Sequence, residues 1–527
     1  MTKRKLPELL DFSAERIRNL HCTWIAFFIS FYIWFNMAPL ATTMLREEGG
    51  EGGWLTPEHL KLLAICNVAL TIPARIVVGA LIDRFGPRRC FAGLLMFTAI
   101  PALMFAFGTS FMQLLVARLL ISTTGASFVI GIRMVAQWFP PRTIGRAEGF
   151  YAGWGNFGSA WAAMTLPWIA LSWFGGGHNG WRYALAVNAA VAFVYGIAYL
   201  FLVRDVPDGK QFVGLKKTQP MLVNSRWDLV QLLIWSFPLV GALGFLAWRA
   251  SKITLGGGSS DHVMSQEMLW AVYAVLALVL IAHALKTIQV NLPHIRAGVP
   301  DDLRVHFPSV AALNTTYFAN FGAELAVVSM LPAFFEGTFD ISPTTAGLVA
   351  SSFAFVNLFA RPLGGLLSDS LRSRKWTMAA YMAGIAAGFF GMAFITGMWP
   401  LWLAVALTIA CSMFVQGAEG ATFAIIPMIN KRQTGQIAGM AGAYGNVGAV
   451  VYLVLFTMVS AKVFFLLLAA GAALSVLTCL LWLREPEGSF ADEDPARDPS
   501  QDREPHPVAA PAGTAAKNGF ARSGRSQ

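Results

Sequence analysis

Residues 75–89 read RIVVGALIDRFGPRR, and residues 361–375 read RPLGGLLSDSLRSRK. Both stretches carry an arginine, a glycine and an aspartate at positions i, i+4 and i+8, and the two copies lie 286 positions apart. The corresponding residues are Arg75, Gly79 and Asp83 in the first copy and Arg361, Gly365 and Asp369 in the second. The shared spacing of charged residues within two apolar runs predicts an internal duplication.

Two further pairs of stretches repeat in the same order. GASF, which ends at Phe128, matches GATF, which ends at Phe423. AGWGNFGSA around Asn156 matches GAYGNVGAV around Asn446. Because the matches share one order and a nearly constant offset, we predict that the chain consists of two homologous halves.

The composition is that of a membrane protein. The chain has 527 residues, of which 56% are hydrophobic and only 13% are charged, and its mean hydropathy is +0.56. Soluble domains carry about 25% charged residues, so most of this chain must face lipid. The cysteines show neither a disulfide framework nor the spacing of a metal site; they are Cys22, Cys66, Cys90, Cys411 and Cys479.

A transmembrane helix needs about 20 predominantly apolar residues, and fourteen runs of the chain meet this length. We place them at residues 21–45, 57–83, 88–108, 111–138, 145–173, 181–203, 227–249, 267–287, 308–335, 343–369, 375–396, 398–428, 435–460 and 462–484. The sequence therefore predicts an all-α membrane protein with about 14 transmembrane helices.

The repeats and the apolar runs together divide the chain into five parts. These are a cytoplasmic N-terminal segment at 1–20, an N-terminal six-helix half at 21–205, a central insert with two extra transmembrane helices at 206–307, a C-terminal six-helix half at 308–484 and a tail at 485–527. The tail is rich in Pro, Asp, Glu, Arg and Ser, a composition typical of disordered segments, so we expect it to be disordered and cytoplasmic.

Lysine and arginine are concentrated in loops on one side of the predicted membrane. With the N-terminus inside, the inner loops carry Arg84, Arg88 and Arg89, whereas outer loops are short, neutral or acidic, as at Glu47 and Glu336. Because cytoplasmic loops carry an excess of basic residues, we expect both termini to be cytoplasmic and the chain to be a multi-pass protein of the plasma or inner membrane.

Each half contains six predicted spans, so the two halves have the same orientation in the membrane. Parallel repeats of six helices describe the major facilitator architecture, in which the substrate site lies near the membrane midplane between the halves. Residues 79–88 also resemble the cytoplasmic gate motif of that superfamily. The residues that this resemblance assigns to gating are Gly79, Asp83, Arg84, Gly86 and Arg88, with Asp369 in the second copy.

Arg75 and Arg361 are the strongest candidates for a function. Each lies about two turns from the end of its span, with apolar neighbours, and an arginine at membrane depth costs about 2.5–3.5 kcal/mol on insertion scales. Two planar guanidinium groups that face each other would suit a planar oxyanion. The alternatives are an ion pair with a buried carboxylate or an extension of the side chain to the cytoplasm.

Other candidates accompany the repeats. Asn156 and Asn446 could donate hydrogen bonds to an anion, because a buried amide needs partners, while the glycines beside them favour close helix packing. Phe128 and Phe423 could stack on a flat anion, or could be apolar filling. Tyr317 could offer its hydroxyl to the substrate.

Two carboxyl groups lie deep in predicted spans. Burial favours the neutral form of a carboxyl group, so Glu324 and Glu419 could each carry a proton during transport; a permanent ion pair with an arginine is the alternative. Arg118, in RLLISTTG, resembles a superfamily motif that holds helices together, and we expect it to be structural.

The repeated signatures resemble those of the nitrate/nitrite porters of the major facilitator superfamily. FARPLGGLLSD and EGATFAIIPMINKRQTGQIAGMAG are particularly similar to the high-affinity nitrate transporters of plants, algae and cyanobacteria, and the resemblance covers residues 20–205 and 308–484. It implies that Arg75 and Arg361 bind substrate, that Asn156 is the signature asparagine, that Phe128 stacks on the anion and that Tyr317 faces the substrate. The insert at 227–287 departs from the family plan.

We therefore predict a secondary transporter of nitrate, and also of nitrite, that works by alternating access and proton symport. The alternatives are a nitrate/nitrite antiporter, a major facilitator for another small anion, and a nitrate-binding membrane sensor. The sequence contains no nucleotide-binding loop, metal cluster or nucleophile–base pair. We expect no enzymatic activity, no cofactor or metal and no nucleic-acid partner; the expected partners are nitrate or nitrite, protons and the lipid bilayer, and the expected state is a monomer.

Overall fold

A computed structural model describes residues 11–50, 53–139, 141–175, 179–207, 220–255, 261–300, 303–371, 373–430 and 433–485. The predicted tail at 485–527 therefore lies outside the described residues except for Glu485. The side chains of Asp83 and Asp369, two residues of the predicted gate motif, also lie outside the described part.

Within these ranges the chain is helical. Its α-helices are α1 (Glu15–Trp34), α2 (Ala41–Glu48), α3 (Pro57–Ala69), α4 (Thr71–Phe85), α5 (Pro87–Ala106), α6 (Phe111–Ile121), α7 (Ser127–Trp138), α8 (Pro141–Trp168), α9 (Gly180–Leu202), α10 (Arg226–Ala250), α11 (Gln266–Ala297), α12 (Phe307–Phe339), α13 (Pro343–Phe355), α14 (Asn357–Ser370), α15 (Arg374–Met392), α16 (Leu401–Ile429), α17 (Thr434–Phe456) and α18 (Ala461–Trp482). The described residues contain one isolated β-bridge, between Thr254 and His262.

The prediction of about 14 spans is confirmed. Twelve segments are long and apolar enough to cross a membrane, and several of them consist of two consecutive helices, as in Glu15–Glu48 and Pro343–Ser368. Two further helices, α8 and α15, have the length of a span but a lower hydropathy, because α8 is rich in glycine and α15 begins with two basic residues. Together these fourteen segments match the predicted order. One boundary was wrong: α11 ends at Ala297 rather than near 287.

The spans that carry the two repeated arginines are interrupted at equivalent points. The first breaks between α3 and α4 at Leu70, and the second between α13 and α14 at Val356, in each case five residues before the arginine. In the first half Pro73 contributes to the break, since it cannot donate a hydrogen bond to the carbonyl of Ala69. Each arginine therefore lies in the second turn of a new helix.

Glycines allow the helices of each half to approach closely. In the first half α1 crosses α8, where a Cβ atom at Gly155 or Gly158 would collide with Phe27 or Phe28. In the second half α12 crosses α17 in the same way, and a Cβ atom at Gly322 would come within 2.8 Å of the Gly448 backbone. Packing therefore accounts for several signature glycines, as small residues do at helix contacts in lipid.

The two extra helices, α10 and α11, are attached to the second half. The Tyr444 hydroxyl of α17 donates to the Trp235 carbonyl of α10, and Arg249 Nε donates to Thr457 Oγ1 at 2.7 Å. The Gln433 side chain also bonds to both the N–H and the carbonyl of Leu222, at 2.7 and 3.0 Å. These contacts make the insert part of the surface of the second half.

Candidate functional site

Arg75 reaches from the first half to the second. Its Nη1 donates to the Gly442 carbonyl of α17 at 2.8 Å, and its Nε donates to the Gly125 carbonyl at 3.3 Å. The guanidinium carbon lies 5.6 Å from the centroid of the Phe128 ring. Among the described residues no carboxylate forms an ion pair with Arg75, so neutral oxygens and an aromatic face surround this charge.

Arg361, the equivalent residue of the second half, has a different environment. Its side chain is 4% exposed, and Nη2 forms an ion pair with Glu419 and lies 3.9 Å from Oε2 of Glu324. Glu324 Oε1 accepts a hydrogen bond from Asn357 Nδ2 at 2.6 Å. The predicted alternative of a buried ion pair therefore holds for Arg361 but not for Arg75.

A continuous group of aromatic rings lies between the two arginines. The Arg75 guanidinium carbon lies 5.6 Å from the Phe128 ring, and that of Arg361 lies 5.8 Å from the Phe321 ring. Tyr317, which is buried, stacks on Phe321 with 5.1 Å between ring centroids. The structure thus brings together Arg75, Arg361 and Tyr317 at the boundary between the halves. The charge at this boundary comes from both halves.

Aromatic rings line the same region. The rings of Phe128 and Phe423 lie 5.6 Å apart between centroids, and Tyr317 packs edge-on against Phe423 at 5.4 Å. Phe27, 290 positions before Tyr317, contacts Phe128 at 5.9 Å. Phe27 was not predicted from the sequence, although the repeat offset pairs it with Tyr317.

The two halves differ in charge around their arginines. Glu419 precedes Gly420 in the second half, whereas Thr124 precedes the equivalent Gly125 in the first. Glu324 lies 290 positions after Trp34, an uncharged residue. Arg361 therefore has two carboxylates nearby where the first half offers a hydroxyl and an indole.

The signature asparagines are buried near the site. Asn446 Nδ2 donates to the Gly442 carbonyl at 3.0 Å, so Asn446 and Arg75 share one acceptor. Neither side-chain atom of Asn156 has a hydrogen-bond partner among the described residues, and the residue is only 1% exposed. A buried amide without partners is costly, which is consistent with a ligand-binding role for Asn156.

The described part of the gate motif lies at the ends of α4 and α5. Gly86 joins the two helices with φ of +82°, a conformation that favours glycine. Gly79 faces open space, and Arg84 is exposed, with its guanidinium 5.2 Å from the Phe85 ring. We call this end of the bundle, where Arg84 and Arg88 lie, the basic end.

A carboxylate caps the helix that follows the gate motif in each half. Asp205 Oδ1 accepts from the Arg88 N–H at 2.7 Å, at the start of α5. Glu485 accepts from the Arg374 and Lys375 N–H groups at 2.7 and 3.1 Å, at the start of α15. These caps were not predicted from the sequence, although the matching stretches LVRDVP and WLREPE indicate them.

The halves also meet at the end opposite the basic end. Thr42 Oγ1 donates to Glu336 Oε2 at 2.6 Å, and Arg46 Nη2 lies 3.6 Å from Glu336 Oε1. Between this contact and the arginines, α8 of the first half lies against α13 and α14 of the second. The site is therefore flanked by contacts between the halves.

Arg118 lies apart from this site. Its Nη1 donates to Asn36 Oδ1 and its Nη2 to the Trp34 carbonyl, both at 2.9 Å. Asn36 Nδ2 in turn donates to Asn188 Oδ1 at 3.0 Å. These bonds join α6 to the end of α1 and to α9, which fits the predicted structural role.

Comparisons with known proteins identify the class of protein that this fold represents. A sequence model described as Major Facilitator Superfamily matches residues 23–294 and 313–522. Among solved structures, a D-xylose–proton symporter aligns with a TM-score of 0.60 at 15% identity, and the xylose transporter XylE from E. coli, in a partially occluded inward-open conformation, with 0.59 at 14%. Each covers 90% of this chain and 99% of the solved chain, and at these identities the likeness concerns the fold alone.

Relatives within the superfamily are considerably more similar. The chain is 43% identical over 526 residues to a nitrate/nitrite transporter, NrtP, of Picosynechococcus, and 44% identical over 490 residues to NrtP of Nostoc punctiforme. Each alignment covers 92% of this chain and 96% of the relative. High-affinity nitrate transporter 2.3 of Oryza sativa is 26% identical, over 85% of this chain and 73% of its own length. The chain belongs to the nitrate/nitrite porter family of the Major Facilitator Superfamily, as the repeated signatures predicted.

Proposed function

We propose that this protein is a secondary active transporter of nitrate and nitrite that couples anion uptake to protons by alternating access. The observation that carries the proposal is the arginine pair at the boundary between the halves. Arg75 reaches from the first half to the Gly442 carbonyl of the second, and Arg361, its equivalent, has Glu324 and Glu419 beside it, whereas no carboxylate among the described residues pairs with Arg75. The two NrtP relatives, which are nitrate/nitrite transporters, support the substrate class.

The chemistry of the site suits a small planar oxyanion. A guanidinium group presents donors in one plane and matches a planar acceptor. The rings of Phe128 and Phe423, with the Tyr317 hydroxyl nearby, bound the space beside the arginines. Flat rings favour a flat ion over a tetrahedral one, so we expect nitrate and nitrite to bind more tightly than sulfate or phosphate.

The balance of charge supports proton symport. Two arginines and two ionised carboxylates, Glu324 and Glu419, sum to zero, so an added anion would leave one uncompensated negative charge in a region of low dielectric. An unpaired buried charge is strongly unfavourable, and protonation of one glutamate restores neutrality. In an antiporter the two anions replace each other, and no proton would be needed.

Energetics point to the same coupling. An anion that enters against a negative-inside membrane potential loses about 2.3 kcal/mol per charge for each 100 mV. If one proton enters with the anion, no net charge crosses and the cost disappears. If two protons enter, the net charge is positive and the membrane potential favours uptake. We infer from the distribution of basic residues that both termini and the basic end face the cytoplasm. Uptake is therefore movement of the anion toward Arg84 and Arg88.

Contacts between the halves on either side of the arginines support alternating access. At one end, Glu336 accepts a hydrogen bond from Thr42 and lies beside Arg46. Nearer the basic end, α8 lies against α14, and a Cβ atom added to Gly149 would lie 3.9 Å from Pro362. For an ion to reach Arg75 and Arg361 from the first end, the contacts of Glu336 must open, and release toward the basic end requires α8 and α14 to part there.

The experiment is nitrate uptake into proteoliposomes at fixed potential, with and without an inward proton gradient. We expect the gradient to stimulate uptake by the wild type. Arg361→Lys, which keeps the charge beside Glu419 but loses the planar fork, should lose most of the uptake. Glu324→Gln or Glu419→Gln should abolish the stimulation, because glutamine cannot release a proton, while Glu267→Gln, at an exposed position, serves as the matched control.

Each other outcome identifies an alternative. Uptake that ignores the proton gradient but requires internal nitrite would make the protein an antiporter. Nitrate binding without flux in a folded protein would make it a sensor. Absence of both binding and flux would reject nitrate as the substrate and leave another small anion.

A further inference from the structure

The partner that Arg75 finds in the second half is a backbone carbonyl. Gly442 lies in α17, and its oxygen accepts from Arg75 Nη1 at 2.8 Å. The two residues are 367 positions apart, so this bond links α4 of the first half directly to α17 of the second. It joins the halves at the level of the candidate anion site.

The Gly442 carbonyl is shared among several donors. Asn446 Nδ2 donates to it at 3.0 Å, and in a continuous helix the backbone N–H of the same residue points at it as well. A carbonyl oxygen has two lone pairs, so Arg75 competes with two neighbours for them. The cation is thus bound to an acceptor that is already satisfied without it.

An oxyanion would be a better acceptor for the same donor. A guanidinium group and an oxyanion are both ionised and can form two parallel hydrogen bonds, which adds energy and geometric specificity that a single carbonyl does not offer. Arg361 has carboxylates in this role, whereas Arg75 has neutral oxygens and the face of Phe128. Of the two arginines, Arg75 is therefore the one that has most to gain from an anionic ligand.

We propose that the Gly442 carbonyl competes with the transported anion for Arg75, so that anion binding releases α4 from α17. Asn446 is a positioning residue in this competition, since it donates a hydrogen bond to the Gly442 carbonyl whether or not Arg75 is bound there. The inference rests on the proposed function, because it requires an anion at Arg75. It adds a coupling between occupancy of the site and the contact that ties the halves together.

The absence of a side chain at Gly442 makes the idea testable. A Cβ atom built on this residue would lie 3.0 Å from Arg75 Nη1 and within 4 Å of no other group beyond its own stretch of helix. Gly439, on the same helix, has nothing within 4 Å. Gly442→Ala therefore disturbs one contact, and Gly439→Ala is a matched control for the effect of alanine on the helix.

The experiment measures nitrate affinity of the purified full-length protein by calorimetry for wild type, Gly442→Ala and Gly439→Ala. Weakening an internal competitor should lower the Kd of Gly442→Ala by on the order of five-fold, the low end of couplings between linked events, and leave Gly439→Ala at the wild-type value. A Kd for Gly442→Ala equal to or higher than that of the control would overturn the proposal. If the wild type binds no nitrate at all, the proposed function itself fails, and the two failures are thereby distinguished.

A second measurement covers the case in which Gly442→Ala does not fold. Spin labels at Phe85→Cys, the last residue of α4, and Gly435→Cys, in the first turn of α17, report the separation of the two helices. Cys22 and Cys90 are replaced by serine, since the other three cysteines are buried. Saturating nitrate should shift the label distances to longer values than chloride does, and unchanged or shorter distances would overturn the proposal.

Discussion

The rings of Phe128 and Phe423 face each other across the two halves, with 5.6 Å between centroids and 57° between planes. The two residues are the last positions of GASF and GATF, the second repeated pair of the sequence. Each ring also contacts an aromatic residue of its own half, Phe27 or Tyr317. Each copy of the repeat therefore contributes two of the four aromatic rings that meet at the boundary between the halves.

Replacement of Phe128 by alanine should weaken nitrate binding. The ring lies 5.6 Å from the Arg75 guanidinium carbon, and a cation–π contact contributes about 0.5–2 kcal/mol, so the Kd of Phe128→Ala should rise about two- to thirty-fold. Phe128→Tyr keeps the face of the ring and should stay near the wild-type value. Calorimetry on the purified protein measures both.

A lipid-facing phenylalanine provides the comparison. Phe193 of α9 is 43% exposed, and Phe193→Ala should leave the Kd unchanged while it controls for loss of a ring in general. A Phe128→Ala protein with wild-type affinity would show that this ring serves only as apolar filling.

The two arginines should differ in their effect on stability. Arg361→Gln leaves Glu324 and Glu419 buried without a counter-charge, and breaking a buried pair in this way costs about 3–5 kcal/mol. Arg75→Gln strands no carboxylate among the described residues and should lower the free energy of unfolding much less, even though both variants lose nitrate binding. Thermal unfolding in detergent distinguishes them by their midpoints.

A double variant tests the cause of that difference. Glu419→Gln, added to Arg361→Gln, removes one of the two uncompensated charges. The unfolding midpoint of the double variant should therefore lie between those of Arg361→Gln and the wild type. If Arg75→Gln is as unstable as Arg361→Gln, the charge asymmetry between the halves does not govern stability.

The carboxylate caps offer a third prediction. Asp205→Ala removes an acceptor for the Arg88 N–H and a negative charge at the start of α5, and loss of such a cap costs about 1 kcal/mol. Glu485→Ala should have a similar effect at α15. Glu267→Ala removes a charge from the first turn of α11 without a described hydrogen bond, so a drop in midpoint equal to that of Asp205→Ala would contradict the capping role.

Much of this architecture could be predicted because a duplication makes the chain its own comparison. Arg75 and Arg361 stood out as the same residue at the same point of two apolar runs, and the structure places both beside one group of aromatic rings between the halves. The order of the fourteen spans followed from apolar length alone, which is the main physical demand of the bilayer.

The partners of these residues could not be predicted in the same way. A contact such as Arg75 with the Gly442 carbonyl joins a side chain to a backbone atom, and every residue carries such an oxygen, so the sequence does not mark it. Asn357 donates a hydrogen bond to Glu324. The repeat did not indicate Asn357, because the corresponding residue of the other half is a different one, Thr71. The breaks at Leu70 and Val356 were missed because the apolar runs continue through them.

The contact between Thr42 and Glu336 should act as a gate. The two side chains belong to opposite halves and lie 2.6 Å apart at the end away from Arg84 and Arg88, so they must separate whenever the site opens at that end. A double variant, Thr42→Cys with Glu336→Cys, can be cross-linked by a short bifunctional thiol reagent that forms reducible disulfides. The cross-link should stop nitrate uptake into proteoliposomes. Reduction should restore it, and each single cysteine variant, treated in the same way, should continue to transport. Because native cysteines are present in all of these proteins, the single variants also control for reaction elsewhere. Uptake that persists in the cross-linked double variant would mean that the halves do not part at Glu336, and alternating access through this end would have to be abandoned.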